Sequence, residues 1–131
     1  MLTVPDTATD GKALVRRLVD EVVTNGDFDA LDELYTPVLA HAALRWIRPL
    51  RDAFPDVRME IVQLVAEGDT VVARFRCSGT QLGAWRSHAP TGRRFNNIDE
   101  VYFFTITDGR ISAAWGLEDT ARRLHQLGLA A

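Results

Sequence analysis

Arg94-Phe95-Asn96-Asn97-Ile98-Asp99-Glu100-Val101-Tyr102-Phe103-Phe104-Thr105-Ile106-Thr107 runs into Asp108-Gly109 and on through Arg110-Ile111-Ser112-Ala113-Ala114-Trp115. An Asp-Gly pair between two runs rich in β-branched and aromatic residues predicts a tight antiparallel hairpin. Gly109 supplies the positive φ that a primed turn demands. Side chains alternate between faces along a strand. Ile98, Glu100, Tyr102, Phe104 and Ile106 therefore share one face, and Asp99, Val101, Phe103 and Thr105 share the other. A carboxyl and a phenol two residues apart among apolar neighbours make the first face the best candidate for a chemical site. A plainer assignment stands beside it, in which Glu100 pairs with an arginine and Tyr102 is core with its hydroxyl satisfied.

Working upstream, Val57, Met59, Ile61, Gln63 and Val65 alternate with Arg58, Glu60, Val62 and Leu64, and Glu67-Gly68-Asp69 reads as a turn. A strand from about Thr70 to Thr80 follows. Val71, Ala73, Phe75 and Cys77 form its apolar face, and Val72, Arg74, Arg76 and Ser78 form a mixed face suited to water or a partner subunit. Residues 81–93 contain Gly83, Pro90 and Gly92 and form a long connection carrying Trp85, Arg86 and His88. Such a loop is either a lid beside a cavity or a segment that Trp85 packs down.

Further upstream the period becomes helical. Residues 1–9 read as a loose arm, and Thr9 or Asp10 caps a helix to about Thr24 with Leu14, Val15, Leu18, Val19, Val22 and Val23 inward. Asn25-Gly26 stops it. Asp27 caps a short second helix with Phe28, Leu31 and Leu34 inward, ended by Thr36-Pro37. Residues 38–54 form a third, with Leu39, Ala43, Trp46, Leu50 and Phe54 on one face, Pro49 kinking or restarting it, and His41 near its start. Downstream of the hairpin, Glu118-Asp119 opens a last helix with Leu124 and Leu127 inward and Arg122, Arg123 and His125 toward water. Three helices, four meandering strands and a helix predict an α+β fold, with helices packed on one face of a curved antiparallel sheet. The inside of the cone so formed is the expected binding pocket.

The 131 residues, 47% apolar and 25% charged, are those of one globular domain. A net charge of −3 gives no support for nucleic acid as a partner. The single cysteine, Cys77, excludes an internal disulfide, fits a cytoplasmic location and reads as a buried, inert thiol. No apolar run is long enough to span a membrane, and Met1 to Lys12 lacks the segments of a secretion signal. His41, His88 and His125 lie in different elements without ligand spacing, so no metal is expected. No glycine-rich phosphate loop follows a strand.

Ala89-Pro90-Thr91-Gly92-Arg93, Asp108-Gly109-Arg110-Ile111, Trp115-Gly116-Leu117-Glu118-Asp119-Thr120, Gln126-Leu127-Gly128 and Phe54-Pro55-Asp56-Val57 together resemble the SnoaL-like polyketide cyclase family. That family belongs to the nuclear transport factor 2-like superfamily, and the resemblance spans most of the chain from about residue 12. It implies a cone-shaped α+β barrel, aldol ring closure without metal or organic cofactor, and a homodimer through the outer sheet face. Relatives isomerise, dehydrate or open epoxides. The cyclases' two polar strand positions fall on Glu100 and Tyr102, and their pocket side chain on the third helix falls on Trp46. Their acid/base aspartate falls on Gly116, and a second acidic position is kept as Asp119.

Three functions are therefore in view. The first is a cofactor-independent small-molecule enzyme in which Glu100 moves a proton, Tyr102 donates to a developing oxyanion and His88 complements them. Leu18, Trp46, Leu50, Val22, Phe75, Trp85 and Phe104 would wall its pocket. The second is a ligand-binding or assembly domain without chemistry, suggested by Gly116. The third is epoxide opening by Glu100 with Asp119. An open cone ending at Glu100 favours the enzyme, and a sealed or filled one favours assembly.

Overall fold

The computed structural model describes the backbone of residues 7–129 and side chains from residue 11. Helix α1 (Thr7–Arg17) passes directly into a wider, π-helical segment (Leu18–Thr24). The helix thus starts before the expected caps Thr9 and Asp10; residues 1–6 of the expected arm lie outside the described residues. Leu18, Val19, Val22 and Val23 are all buried, and Gly26 ends the segment with φ +72. A single 3-10 turn (Phe28–Ala30) leads into α2 (Leu31–Leu34), and Asp27 makes no side-chain cap there. Tyr35 breaks the helical run and forms an isolated parallel bridge with Ile111.

Helix α3 (Pro37–Ala53) begins on a proline, whose missing N–H costs nothing at a first helical position. Pro49 lies inside it, and the helix continues through that residue rather than restarting. Its buried stripe is Ala40, Ala43, Ile47, Leu50 and Ala53. That stripe is turned by about one residue from the expected one. Leu39 is only half-buried and Trp46 is 38% exposed, at the edge of the helix-sheet interface.

Strands β1 (Arg58–Glu67), β2 (Thr70–Thr80), β3 (Arg94–Thr107) and β4 (Arg110–Glu118) form one antiparallel sheet in sequence order. The sheet is an open meander, not closed into a barrel. The β3–β4 turn has Asp108 and Gly109 at φ 50 and 77, the paired left-handed conformation of a primed turn. Irregular registers bend the sheet at three places. Between Ile61 and Gln63 one extra β1 residue flips the face. Leu64 and Ala66, rather than Gln63 and Val65, therefore pack against the core, which corrects the simple alternation read from sequence. Asn96 and Asn97 make the second irregularity, with Asn97 at φ 53 and its N–H donating to the Ser78 hydroxyl. Ser112 makes the third.

The inner face of β3 is as expected. Ile98, Glu100, Phe104 and Ile106 are buried, and Tyr102 is half-buried among them. α1, the π-helical segment and α3 cover this concave face, and α4 (Thr120–Gln126) closes one end against β3. Cys77 is buried at the sheet centre, where burial pushes its thiol well above the ordinary range. Among the described residues, no helix is long and apolar enough to cross a membrane.

Candidate functional site

A cavity of about 600 Å³ opens between α3, the 81–93 connection and the inner faces of β3 and β4. Its mouth carries the exposed Arg45, Trp46, Pro49, Ala84 and Arg86. Trp85 and Leu50 are buried in its wall, and Glu100 and Arg123 are buried at its floor. Tyr102, Gly116 and Glu118 complete the lining. Cross-strand pairing sets this floor, because Glu100 stands opposite Glu118 and Tyr102 opposite Gly116.

Glu100 is only 2% exposed. Its Oε2 accepts from Arg123 Nη2 at 2.6 Å, and its Oε1 accepts from the Tyr102 hydroxyl at 3.2 Å. Arg123, expected in water, is instead 1% exposed. The correction has a simple cause. Arg123 lies four residues before the fully buried Leu127, so the two share the inner face of α4. A carboxylate sealed on the sheet needs a cation, and this is the one that reaches it. The guanidinium also lies over Phe95 at 4.8 Å and Trp85 at 5.5 Å. Its Nη1 sits 3.1 Å from Glu118 Oε1 without hydrogen-bond alignment, and Nε has no partner.

Burial pushes the Glu100 carboxyl above its ordinary value, with Arg123 pulling the other way and Glu118 adding to the rise. Burial, then the neighbouring Glu100 charge, pushes the Tyr102 phenol up, so it stays a proton donor. Burial works against the charge on Arg123, yet Glu100 and Glu118 beside it hold its pKa above the ordinary value. Glu118 is the more accessible carboxylate, at 22% side-chain exposure. It accepts from Arg86 Nη2 at 2.9 Å and from the Thr120 hydroxyl at 3.3 Å.

Gly116 has a structural reason. A Cβ built there would run into the Tyr102 ring. Any side chain at this place, the aspartate that the family resemblance implies included, would contend with the tyrosine ring. Glu118, two residues on and on the same face, brings the second carboxylate instead. Tyr102 is stacked between Trp46 (6.1 Å) and Phe104 (5.9 Å). Trp46, Tyr102 and Phe104 also line a smaller, apolar cavity of about 150 Å³ with Tyr35, Leu39, Ala42, Ala43 and Ala114.

The other expected site residues are placed differently. Phe75 is buried and touches Tyr102 from below, at 5.9 Å between rings, without lining the large cavity. Leu18 and Val22, on the π-helical segment, belong to the buried core and line neither cavity. His88 is half-buried outside the lining, and its backbone closes a tight turn with Trp85. Asp119 also lies outside the lining. Its carboxylate caps α4 by accepting the Arg122 N–H at 3.1 Å. The structure therefore does not bring Asp119 into one cavity with Glu100, as the epoxide reading requires. His41 is exposed on α3. Trp85 does both things considered for it: it walls the cavity and packs edge-on against Phe54 at 5.5 Å. Arg45, Glu118 and Arg123 are absent from the sequence reading of the site, and Arg86 enters it only as part of the candidate lid. Arg123 carries a signal in its spacing to Leu127, and Glu118 in its two-residue step from Gly116. No group of three or more His, Cys, Asp or Glu side chains capable of holding a metal occurs among the described residues.

The sequence model of the SnoaL-like polyketide cyclase family matches residues 13–127. The solved TsrD from Streptomyces laurentii is 25% identical, with a TM-score of 0.82 over 97% of this chain and 99% of its own. IdmH from Streptomyces antibioticus, described as a proposed polyketide cyclase, is 25% identical with a TM-score of 0.78, covering 90% of this chain and 98% of its own. A proposed SnoaL-like polyketide cyclase from Jannaschia sp. CCS1 reaches a TM-score of 0.87 over 100% of both chains at 22% identity, a likeness of fold. No curated protein matches this chain.

Proposed function

The chain belongs to the SnoaL-like polyketide cyclase family, and from that premise we propose that it is a cofactor-independent enzyme closing or isomerising a polyketide-like molecule by acid–base catalysis. The observation that carries this reading is the open cavity of about 600 Å³ whose floor is the Glu100 carboxyl bonded to the Tyr102 phenol. Glu100 takes a proton from a carbon next to a carbonyl, and the electron pair moves onto that oxygen as an enolate. The Tyr102 bond to Glu100 is long at 3.2 Å. Once the carboxylate is neutralised its hold on the phenol weakens, and the hydroxyl turns to the enolate oxygen. The enolate carbon then attacks a second carbonyl of the same molecule, whose oxygen takes the proton back from Glu100 and leaves the carboxylate as it began. Substrate and product are isomers, so no redox partner is consumed.

Glu100→Gln tests the reading on a panel of β-diketones bearing an internal carbonyl, with folding checked by circular dichroism. Loss of ring closure by roughly 10²–10⁴-fold is expected for a group that moves the proton. An unchanged rate removes Glu100 from the chemistry. One observation favours a second reading, binding without turnover: both Glu100 oxygens already have partners. On that reading the wild type holds aromatic guests, converts none of the panel, and keeps its affinity in the variant.

We further propose a homodimer through the outer sheet face. Phe103 and Trp115 meet there edge-on at 5.8 Å, and with Leu117 and Val65 they leave large apolar side chains exposed.

A further inference from the structure

We propose that the cavity mouth is an anion subsite in which Arg45 and Arg86 hold a carboxylate carried by the substrate, so that this chain takes an acid in preference to its neutral ester. The inference rests on the small-molecule reading above and narrows its substrate class. The cavity is lined by three guanidiniums, Arg45, Arg86 and Arg123, and two carboxyls, Glu100 and Glu118. Arg123 is committed to Glu100 at 2.6 Å, out of reach of solvent. Glu118 is shared between Arg123 and Arg86, at 3.1 and 2.9 Å. Arg45, on the α3 side of the mouth, makes no ion pair with any described residue. The mouth therefore carries positive charge in excess of its own counter-charge.

The chain holds Arg86 in place at a conformational cost. Trp85-Arg86-Ser87-His88 is a tight turn closed by Trp85 N–H to His88 C=O at 2.9 Å and His88 N–H to Trp85 C=O at 2.8 Å. Arg86 and Ser87 have φ 47 and 68, so two non-glycine residues occupy the left-handed region in which asparagine and glycine are usual. Such strain persists where the surroundings fix it, and it gathers at functional positions. The surroundings are present here. Buried Gln81 accepts from Thr91 N–H and Oγ1 and donates toward the carbonyls of His88 and Ala89, pinning the loop. The Arg86 guanidinium lies 4.5 Å over the Trp85 ring, at the rim.

The complementary ligand is amphipathic. Trp85 and Leu50 wall the interior, Trp46 and Pro49 add apolar surface at the mouth, and the two cations not sealed at the floor, Arg45 and Arg86, stand at the rim. Rings inside and a carboxylate at the mouth match that division. The Arg86 side chain is 55% exposed, so an anion there keeps part of its hydration and avoids the full cost of burying a charge. The planar guanidinium fork matches a carboxylate edge. Glu118 already takes part of the Arg86 charge, which suits a monoanion better than a doubly charged phosphate.

The probes are anthraquinone-2-carboxylate and its methyl ester, titrated calorimetrically into the whole protein. The acid should bind about tenfold more tightly than the ester at low salt, the scale of one charge-assisted contact. That preference should shrink as sodium chloride is raised, because the mouth is open to screening. Arg45→Gln should remove most of the preference, Arg45→Lys should restore part of it, and ester affinity should stay level in both. An ester that binds as tightly as the acid, or an Arg45→Gln protein that keeps the preference, overturns the subsite while leaving the aromatic cavity standing. If neither probe binds the wild type, the small-molecule reading of the cavity fails and the subsite with it.

Discussion

Arg123→Met is the sharpest test of how this site is held together. The guanidinium and the Glu100 carboxylate are 1% and 2% exposed and 2.6 Å apart. Removing one partner of a buried pair typically costs about 3–5 kcal/mol, because the other charge is left without compensation. Loss of the faces of Phe95 and Trp85 adds to the penalty, roughly 0.5–1 kcal/mol for each contact. Methionine refills part of the volume. A chain of this size loses about 3–5 °C of melting temperature per kcal/mol, so a fall of roughly 10–20 °C at pH 7 is expected. The pH dependence gives the sign. Glu100 holds its proton more tightly in the folded chain than at its ordinary value of 4.5, chiefly through burial. The stability this contributes is complete below that ordinary value and is lost as pH rises through the raised one. Deleting Arg123 removes the main influence pulling the value down, so the loss extends further up the pH scale. The variant's deficit is therefore smallest in acid and grows toward neutrality. Adding Glu100→Gln removes the orphaned charge and should recover about 2 kcal/mol or more of the loss. Melting curves by circular dichroism from pH 4.5 to 8.5 on the wild type, both single variants and the double variant read all of this. A single Arg123→Met variant melting within about 3 °C of wild type at pH 7, or a double variant no more stable than it, would refute the buried-pair account.

Gly116→Ala should destabilise by about 1–3 kcal/mol in urea, since its methyl drives into the Tyr102 ring, and the penalty should largely vanish beside Tyr102→Ala. Trp115→Lys should convert a dimer to a monomer by light scattering with the melting curve of the monomer intact; a wild type that is already monomeric ends the outer-face proposal. Ser87→Gly should raise stability by about 1 kcal/mol by relieving the left-handed φ of 68, and an unchanged or lower melting point would show that the turn is not strained there.

The fold was readable because its decisive signals are local. The Asp108-Gly109 turn, the Glu67-Gly68-Asp69 turn and the Asn25-Gly26 stop each announce themselves within two or three residues, and each lies where expected. The three sheet irregularities were not readable, because one extra residue leaves the apolar count of a strand unchanged. Val62 and Leu64 are as apolar as Ile61 and Val65, and only the pairing with β2 decides which of them turns inward. Trp46 illustrates a similar limit. Its helical face was nearly right, but a rotation of one residue moved Ile47 into the core and left Trp46 at the cavity rim.

The candidate site divides along the same line. Glu100 and Tyr102 came from alternation within one strand, whereas Arg123 lies 23 residues from its carboxylate partner. Arg122, Arg123 and His125 form a polar run whose members look alike in sequence, and tertiary contact alone separates the first two. Arg122 lends only its backbone N–H to the Asp119 cap, while Arg123 turns its side chain under the sheet. The buried acid, the tyrosine beside it, the glycine opposite that tyrosine and the glutamate two residues further form one set of mutually dependent positions. An aspartate introduced at position 116 would displace the ring at 102, and with it the hydrogen bond that reaches Glu100. Changes at 102 and 116 are therefore coupled, and their effects on stability should be strongly non-additive.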